Sequence, residues 1–317
     1  MPLMPPCEIV FIYGALRSGT TLFRLMLDAH PQIANPGEMD FLFDHLHPDD
    51  SHPTGWSYDL EKLRMDRIFQ AKGLIIPDSI HGVDLLHNFF DQLRAQGQGA
   101  SVVTINIHRH IDKLLKIAPN TKLIHVLRDP RDVARSSIHM GWGYNLFFAG
   151  KHWIETEQSW QDNTGDLPSD QVLTLRYEDL LSDLDTHLNR VCQFLGHPMD
   201  PQMLRYHETS TYAPPDPNLI AQWRSKCTAD DIALLEGRIG PLLQQSGYQP
   251  NGAGRFPGAL ERRIMRLRQK RYHWMFNSRR FGFWRFLSAR LTRVLKLKRW
   301  HMHLQTQINQ IHQAQLK

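Results

Sequence analysis

A chain of 317 residues, 41% of them hydrophobic, can bury a sizeable core, and one α/β domain with an appendage is the expectation. The net charge of +5 hides a step: residues 255–317 hold sixteen Lys/Arg against one acid, Glu261, for +15, whereas residues 1–254 hold 21 basic and 31 acidic residues, for −10. Three scattered cysteines (Cys7, Cys192, Cys227) argue against a disulfide framework or a metal spacing, and no run approaches about 18 apolar residues, so a cytoplasmic protein, or one peripheral on a membrane, is expected.

Glu8–Tyr13 reads as a short buried strand, too short and too close to the next loop for a signal peptide. It runs into Gly14-Ala15-Leu16-Arg17-Ser18-Gly19-Thr20-Thr21 and then a helical pattern over Thr20–Ala29, closed by His30-Pro31. Strand, glycine-bounded loop and helix in that order make an anion cradle of loop N–H groups and a helix N-terminus. A nucleoside-triphosphatase loop reads GxxxxGK[ST]. Here Thr20 stands in the lysine position and a cation, Arg17, sits inside the loop.

Asn35-Pro36-Gly37 reads as a turn, with Glu38 directly after it. Residues 40–100 read as mixed helix and loop, broken near 47–55; they hold His81, Asp84 and His87. Ser101–Ile107 predicts a strand ending at His108, Ile111–Ile117 a helix stopped by Pro119-Asn120, and Lys122–Leu127 a strand running into Arg128-Asp129-Pro130-Arg131. Helix over 132–139, strand over Val172–Arg176 and helices over Asp183–Leu195 and Ala229–Ser246 follow. This alternation predicts a P-loop-like parallel sheet with helices on both faces, its ligand at the carboxyl ends of the strands. Gly14, His108, Arg128 and Tyr177 all fall just past strand ends, where one cleft could collect them.

Arg128 and Ser136, eight residues apart at a strand end and in the following helix, form a second anion signal. Alone, Arg128 and Asp129 could simply anchor a strand–helix turn. Two anion motifs on adjacent strand ends suit one ligand with two separate phosphates.

In these residues the chain resembles the PAPS-dependent sulfotransferases, which use 3′-phosphoadenosine 5′-phosphosulfate, and in particular the branch with the tyrosylprotein and bacterial sulfotransferases. The resemblance covers roughly residues 8–250 and includes Arg176-Tyr177-Glu178-Asp179-Leu180 and Gln222-Trp223-Arg224. It implies that Arg17, Ser18, Gly19, Thr20 and Thr21 hold the 5′-phosphosulfate, that Arg128 and Ser136 hold the 3′-phosphate, and that Tyr177 lies against the nucleotide. It further implies Glu38 as the base that takes the acceptor proton, Arg17 as stabiliser of the transferring sulfuryl group, and His108 as a neighbour of that group. Burial would raise the Glu38 pKa toward a useful value, with Arg17 opposing. The reaction needs no metal, and the acceptor is a hydroxyl on a sugar, lipid, small molecule or peptide. Alternatives are a P-loop nucleotide kinase or NTPase, and a non-catalytic membrane-associated binding protein.

The charge step divides the chain into a donor-binding domain, 1–254, and a basic tail, 255–317. Arg262–Arg299 mixes arginine with Phe, Trp and Leu at helical intervals. That pattern suits a helix packed on the acidic body or laid on an anionic membrane. Nucleic acid is the weaker reading, because no fold motif accompanies the charge. The Gln-rich end, Gln305–Lys317, reads as unstructured.

Overall fold

A computed structural model of the chain describes residues 7–295 and 297–315. They form two compact units: Met1–Asp129 with Glu155–Ile220, and Pro130–Ile154 with Ala221–Lys317.

The first unit is built on a five-stranded parallel sheet. Its strands are β1 (Glu8–Tyr13), β2 (Ile33–Ala34), β5 (Val102–Ile107), β6 (Lys122–Leu127) and β7 (Val172–Arg176), in the order β2-β5-β1-β6-β7. β1 is central, pairing Glu8 with Val102 on one side and Val10 with Lys122 on the other. A strand covered on both faces has no wet side, which is why β1 reads as a nearly continuous apolar run, and why the polar residues of β5, Thr104 and Asn106, are buried with it. Alternation instead sorts their side chains between two cores. Phe11 and Tyr13 join Leu85, Leu86 and Phe89 of the helix Gly82–Gln96 on one face. Val10 and Ile12 join Phe23, Met26 and Leu27 of the helix Thr20–Asp28, and Leu188 and Val191 of the helix Leu184–Phe194, on the other.

The stretch that looked mixed, residues 40–100, holds that long helix. It also holds a two-stranded antiparallel ribbon, β3 (Leu46–Pro48) with β4 (Trp56–Tyr58). The short strand β2 beside β5 has no strand-like pattern of its own. At the top of β1, a Cβ on Gly14 would stand 2.4 Å from the Val126 carbonyl oxygen, so the loop can leave the sheet here only without a side chain.

The second unit is helical. It begins with the helix Pro130–His139, two residues earlier than the pattern predicts because proline is well suited to the first helical position. Arg131 donates to Glu236 at 2.8 Å, both buried, and its guanidinium lies 3.8 Å from the Trp223 ring. Asp132 accepts from the Trp223 N–H at 2.9 Å. The expected helix over 229–246 is two, Ala229–Ile239 and Leu242–Gln245. The break falls at Gly240-Pro241, since proline cannot donate back to a helical carbonyl. Three helices complete the unit: Ala259–Phe281, Phe283–Val294 and Lys298–Gln315. The Gln-rich end, expected to be unstructured, is helical through Gln315; Leu316 and Lys317 lie outside the described residues. Leu304, Ile308 and Ile311 recur at helical spacing and pack with Phe281, Ala289 and Phe286.

Candidate active site

The loop after β1 turns tightly. Ser18 N–H bonds the Ala15 carbonyl at 3.0 Å, and Gly19 adopts a left-handed conformation (φ 89°) as it opens the helix Thr20–Asp28. Arg17 is itself left-handed (φ 75°), a rare state for a residue with a Cβ, so the loop holds it there against its preference. The first N–H groups of a helix have no intrahelical partner. Ser18 is fully buried, yet among the described residues its Oγ has no hydrogen-bond partner. A buried hydroxyl left unpaired costs about 1–3 kcal/mol, which an anionic oxygen in the loop would recover.

Arg128 leaves the end of β6 and is tied to this loop. Its guanidinium donates to the Arg17 and Leu219 carbonyls, each at 3.2 Å, and lies 4.1 Å from the centre of the Tyr177 ring. Carbonyl bonds of this kind fix the position and plane of a guanidinium. The Tyr177 ring also fills the space above Gly19: a Cβ there would lie 2.2 Å from it. The neighbouring Glu178 carboxylate accepts from the Asp129 N–H at 2.9 Å. Ser136 stands in the second turn of the helix Pro130–His139, in the second unit.

On the other flank, the Gly37–Met39 segment extends the sheet. Asn106 N–H donates to the Gly37 carbonyl and Met39 N–H to the Asn106 carbonyl, placing Glu38 beside the end of β5. His108, just past β5, is buried. Its Nδ1 bonds the Gly14 carbonyl at 2.7 Å, which requires Nδ1 to carry the proton. Its Nε2 therefore faces Glu38, 3.7 Å from a carboxylate oxygen. Asp40 accepts from the His108 N–H at 2.8 Å.

The expected raised pKa of Glu38 is overturned. Contact with His108 holds the carboxyl below the usual range; burial opposes this, and the charges of His108, Arg24 and Arg67 add to the lowering. Arg17 is not among the causes. Burial works against a proton on His108, but the Glu38 contact, the Asp40 charge and the Gly14 carbonyl outweigh it and push the imidazole up. Both shifts favour the charged forms, carboxylate on Glu38 and imidazolium on His108.

Several supporting residues escaped sequence reasoning. Asn35 donates to Thr104 and to Asn106, and the Asn106 amide donates in turn to the Thr20 carbonyl, so one side-chain chain links the Glu38 turn to the loop helix. Arg24, one turn after Thr20, and Lys72 flank Gly37. An arginine one turn into the helix of an anion loop is a usable signal for the first; nothing local marks the second. His81 lines a cleft of about 220 Å³ with His52, Tyr58 and Leu85. Among the described residues no group of three or more His, Cys, Asp or Glu could hold a metal ion.

Residues 9–201 match the model of the sulfotransferase family. The chain belongs to that family. The match covers well over half of the sulfotransferase, including the loop after β1, Glu38, His108 and the Arg128–Ser136 segment. Over 268 residues the chain is 23% identical to protein-tyrosine sulfotransferase A of Caenorhabditis elegans, covering 76% of this chain and 67% of that one. In fold it is similar to the sulfotransferase domain of the Synechococcus PCC 7002 olefin synthase, with a TM-score of 0.55 at 22% identity over 78% of this chain and 98% of that one. The sulfotransferase domain from the curacin biosynthetic pathway gives 0.54 at 18% identity, covering 77% and 99%.

Proposed function

We propose that the sulfotransferase uses PAPS as donor and a hydroxyl as acceptor, with Glu38 as the base. The observation that carries this reading is the bond from Arg128 to the Arg17 carbonyl, which joins the two anion motifs into one device. A donor with phosphates at both the 5′ and 3′ positions fits such a pair. The unpartnered buried Ser18 hydroxyl supports an anion in the loop.

PAPS, when bound, supplies the sulfuryl group and a phosphate leaving group. Arg17, Ser18, Thr20 and Thr21 hold its 5′ end, where loop N–H groups and the helix N-terminus face it. Arg128 holds the 3′-phosphate. Glu38 takes the proton from the acceptor hydroxyl as that oxygen bonds to sulfur, and the sulfur–oxygen bond to the phosphate breaks with its electron pair left on phosphate. Arg17 and the helix N-terminus stabilise that charge. His108 orients the Glu38 carboxylate.

Adenosine 3′,5′-bisphosphate at about a hundred times its Kd should add about 2.7 kcal/mol of stability, a rise of several degrees in Tm. Stabilisation by ATP with magnesium, and none by the bisphosphate, would place the protein among the nucleotide kinases and NTPases instead. Labelled PAPS incubated with cell extract then identifies the acceptor.

The Glu38–His108 pair makes a pH prediction. The working form of Glu38 is ionised, and a lowered pKa keeps it ionised at every pH above that value. Activity should therefore stay level through the neutral range and fall only as pH drops below the usual carboxyl range. In His108→Gln the main lowering cause is gone while burial remains, so the acid limb of kcat/KM should move upward. An acid limb that does not move would remove His108 from this role.

A further inference from the structure

The helices Phe283–Val294 and Lys298–Gln315 meet over a small core of Phe281, Ala289 and Ile308. A different face of the helix Phe283–Val294 is apolar and bare. Trp284, Leu291 and Val294, seven and three residues apart, share one stripe, with Trp284 76% and Val294 74% exposed. Beyond it, Trp300 is 72% exposed. At the near end, the rings of Trp274, Phe283 and Trp284 meet edge to face, 5.3 and 5.2 Å between centres, and Trp274 and Phe283 are also exposed. Soluble surfaces rarely leave such a continuous patch in water.

The patch sits in the most basic part of the chain. Residues 255–317 carry +15, and their single acid, Glu261, is bonded to Arg255 at 2.9 Å. Arg279 and Arg290 are exposed on the same helices as the aromatic rings. Rings and aliphatic side chains between arginines match the boundary between phosphate headgroups and acyl chains. A polyanion such as nucleic acid would pair the charges but leave Leu291 and Val294 in water. A second copy would bring +15 against +15. No helix of the described residues is long and apolar enough to cross a membrane, so a surface-lying mode is the one that fits.

We propose that this end of the chain is a peripheral docking surface for an anionic phospholipid bilayer. The inference stands apart from the donor and base assignments. It is tested by flotation of the full chain with phosphatidylcholine vesicles, with and without phosphatidylserine. Wild type should float only with phosphatidylserine, and less at high salt. Trp284→Ser/Leu291→Ser/Val294→Ser and, separately, Arg279→Glu/Arg290→Glu should each lower the bound fraction by at least about tenfold. All five positions are exposed, so both variants should melt like wild type. The proposal fails if wild type does not float with anionic vesicles. It also fails if the triple-serine variant floats as well as wild type, since charge alone would then suffice. Wild-type dimers that the triple-serine variant abolishes, without any vesicle binding, would assign the surface to a second copy.

Discussion

Glu38→Gln should lower kcat by about 10²–10⁴-fold, the usual contribution of a positioned general base, with the affinity for adenosine 3′,5′-bisphosphate changed by less than about threefold. Glutamine keeps the shape of the side chain and an oxygen to face His108, so the substitution removes basicity with little else. Glu38 lies next to β5 on a segment held by backbone bonds to Asn106, and those bonds do not depend on the side chain. Its carboxylate is already ionised at neutral pH because His108, Arg24 and Arg67 favour the charge. Such a base is always ready but weak, and the cost of that weakness is reduced by having no proton to lose first. Single-turnover transfer from labelled PAPS, with bisphosphate binding measured in parallel, separates chemistry from affinity. A kcat within tenfold of wild type would mean that the proton goes elsewhere.

Arg128→Ala should weaken adenosine 3′,5′-bisphosphate by about a hundredfold, equivalent to about 2.7 kcal/mol, in keeping with the loss of charge-assisted bonds to a phosphate. Adenosine 5′-monophosphate, lacking the 3′ group, should weaken by less than about fivefold. The comparison is needed because Arg128 also bonds the Arg17 and Leu219 carbonyls and stacks on Tyr177. If its main work is to brace the loop, both nucleotides will weaken equally. Arg128→Lys should fall between, retaining charge but losing the planar fork and most of the stacking. Titration calorimetry with the two nucleotides decides the matter.

What could be read from sequence was what is local. β1, β6 and β7 match their predicted bounds, because each is a short run dominated by Val, Ile, Leu and aromatic residues. The loop after β1 and the Arg128 turn were legible because each is a contiguous motif. β2 and the ribbon of β3 and β4 were not: two or three residues become strand only by pairing with a partner elsewhere. The direction of the Glu38 shift was missed for the same reason. Its partner His108 is 70 positions away, and Arg67 lies on a helix within the unreadable stretch. Burial could be guessed from the turn; the cations that overrule it could not.

The Tyr177 ring is wedged between a guanidinium and a glycine. Three positions far apart in the chain are thereby bound to a common fate. Any side chain at residue 19 collides with the ring, and any smaller residue at 177 removes the stack that steadies the arginine on its far side. The wedge thereby ties the shape of the loop after β1 to that of the Arg128 turn, two stretches that no local sequence signal connects.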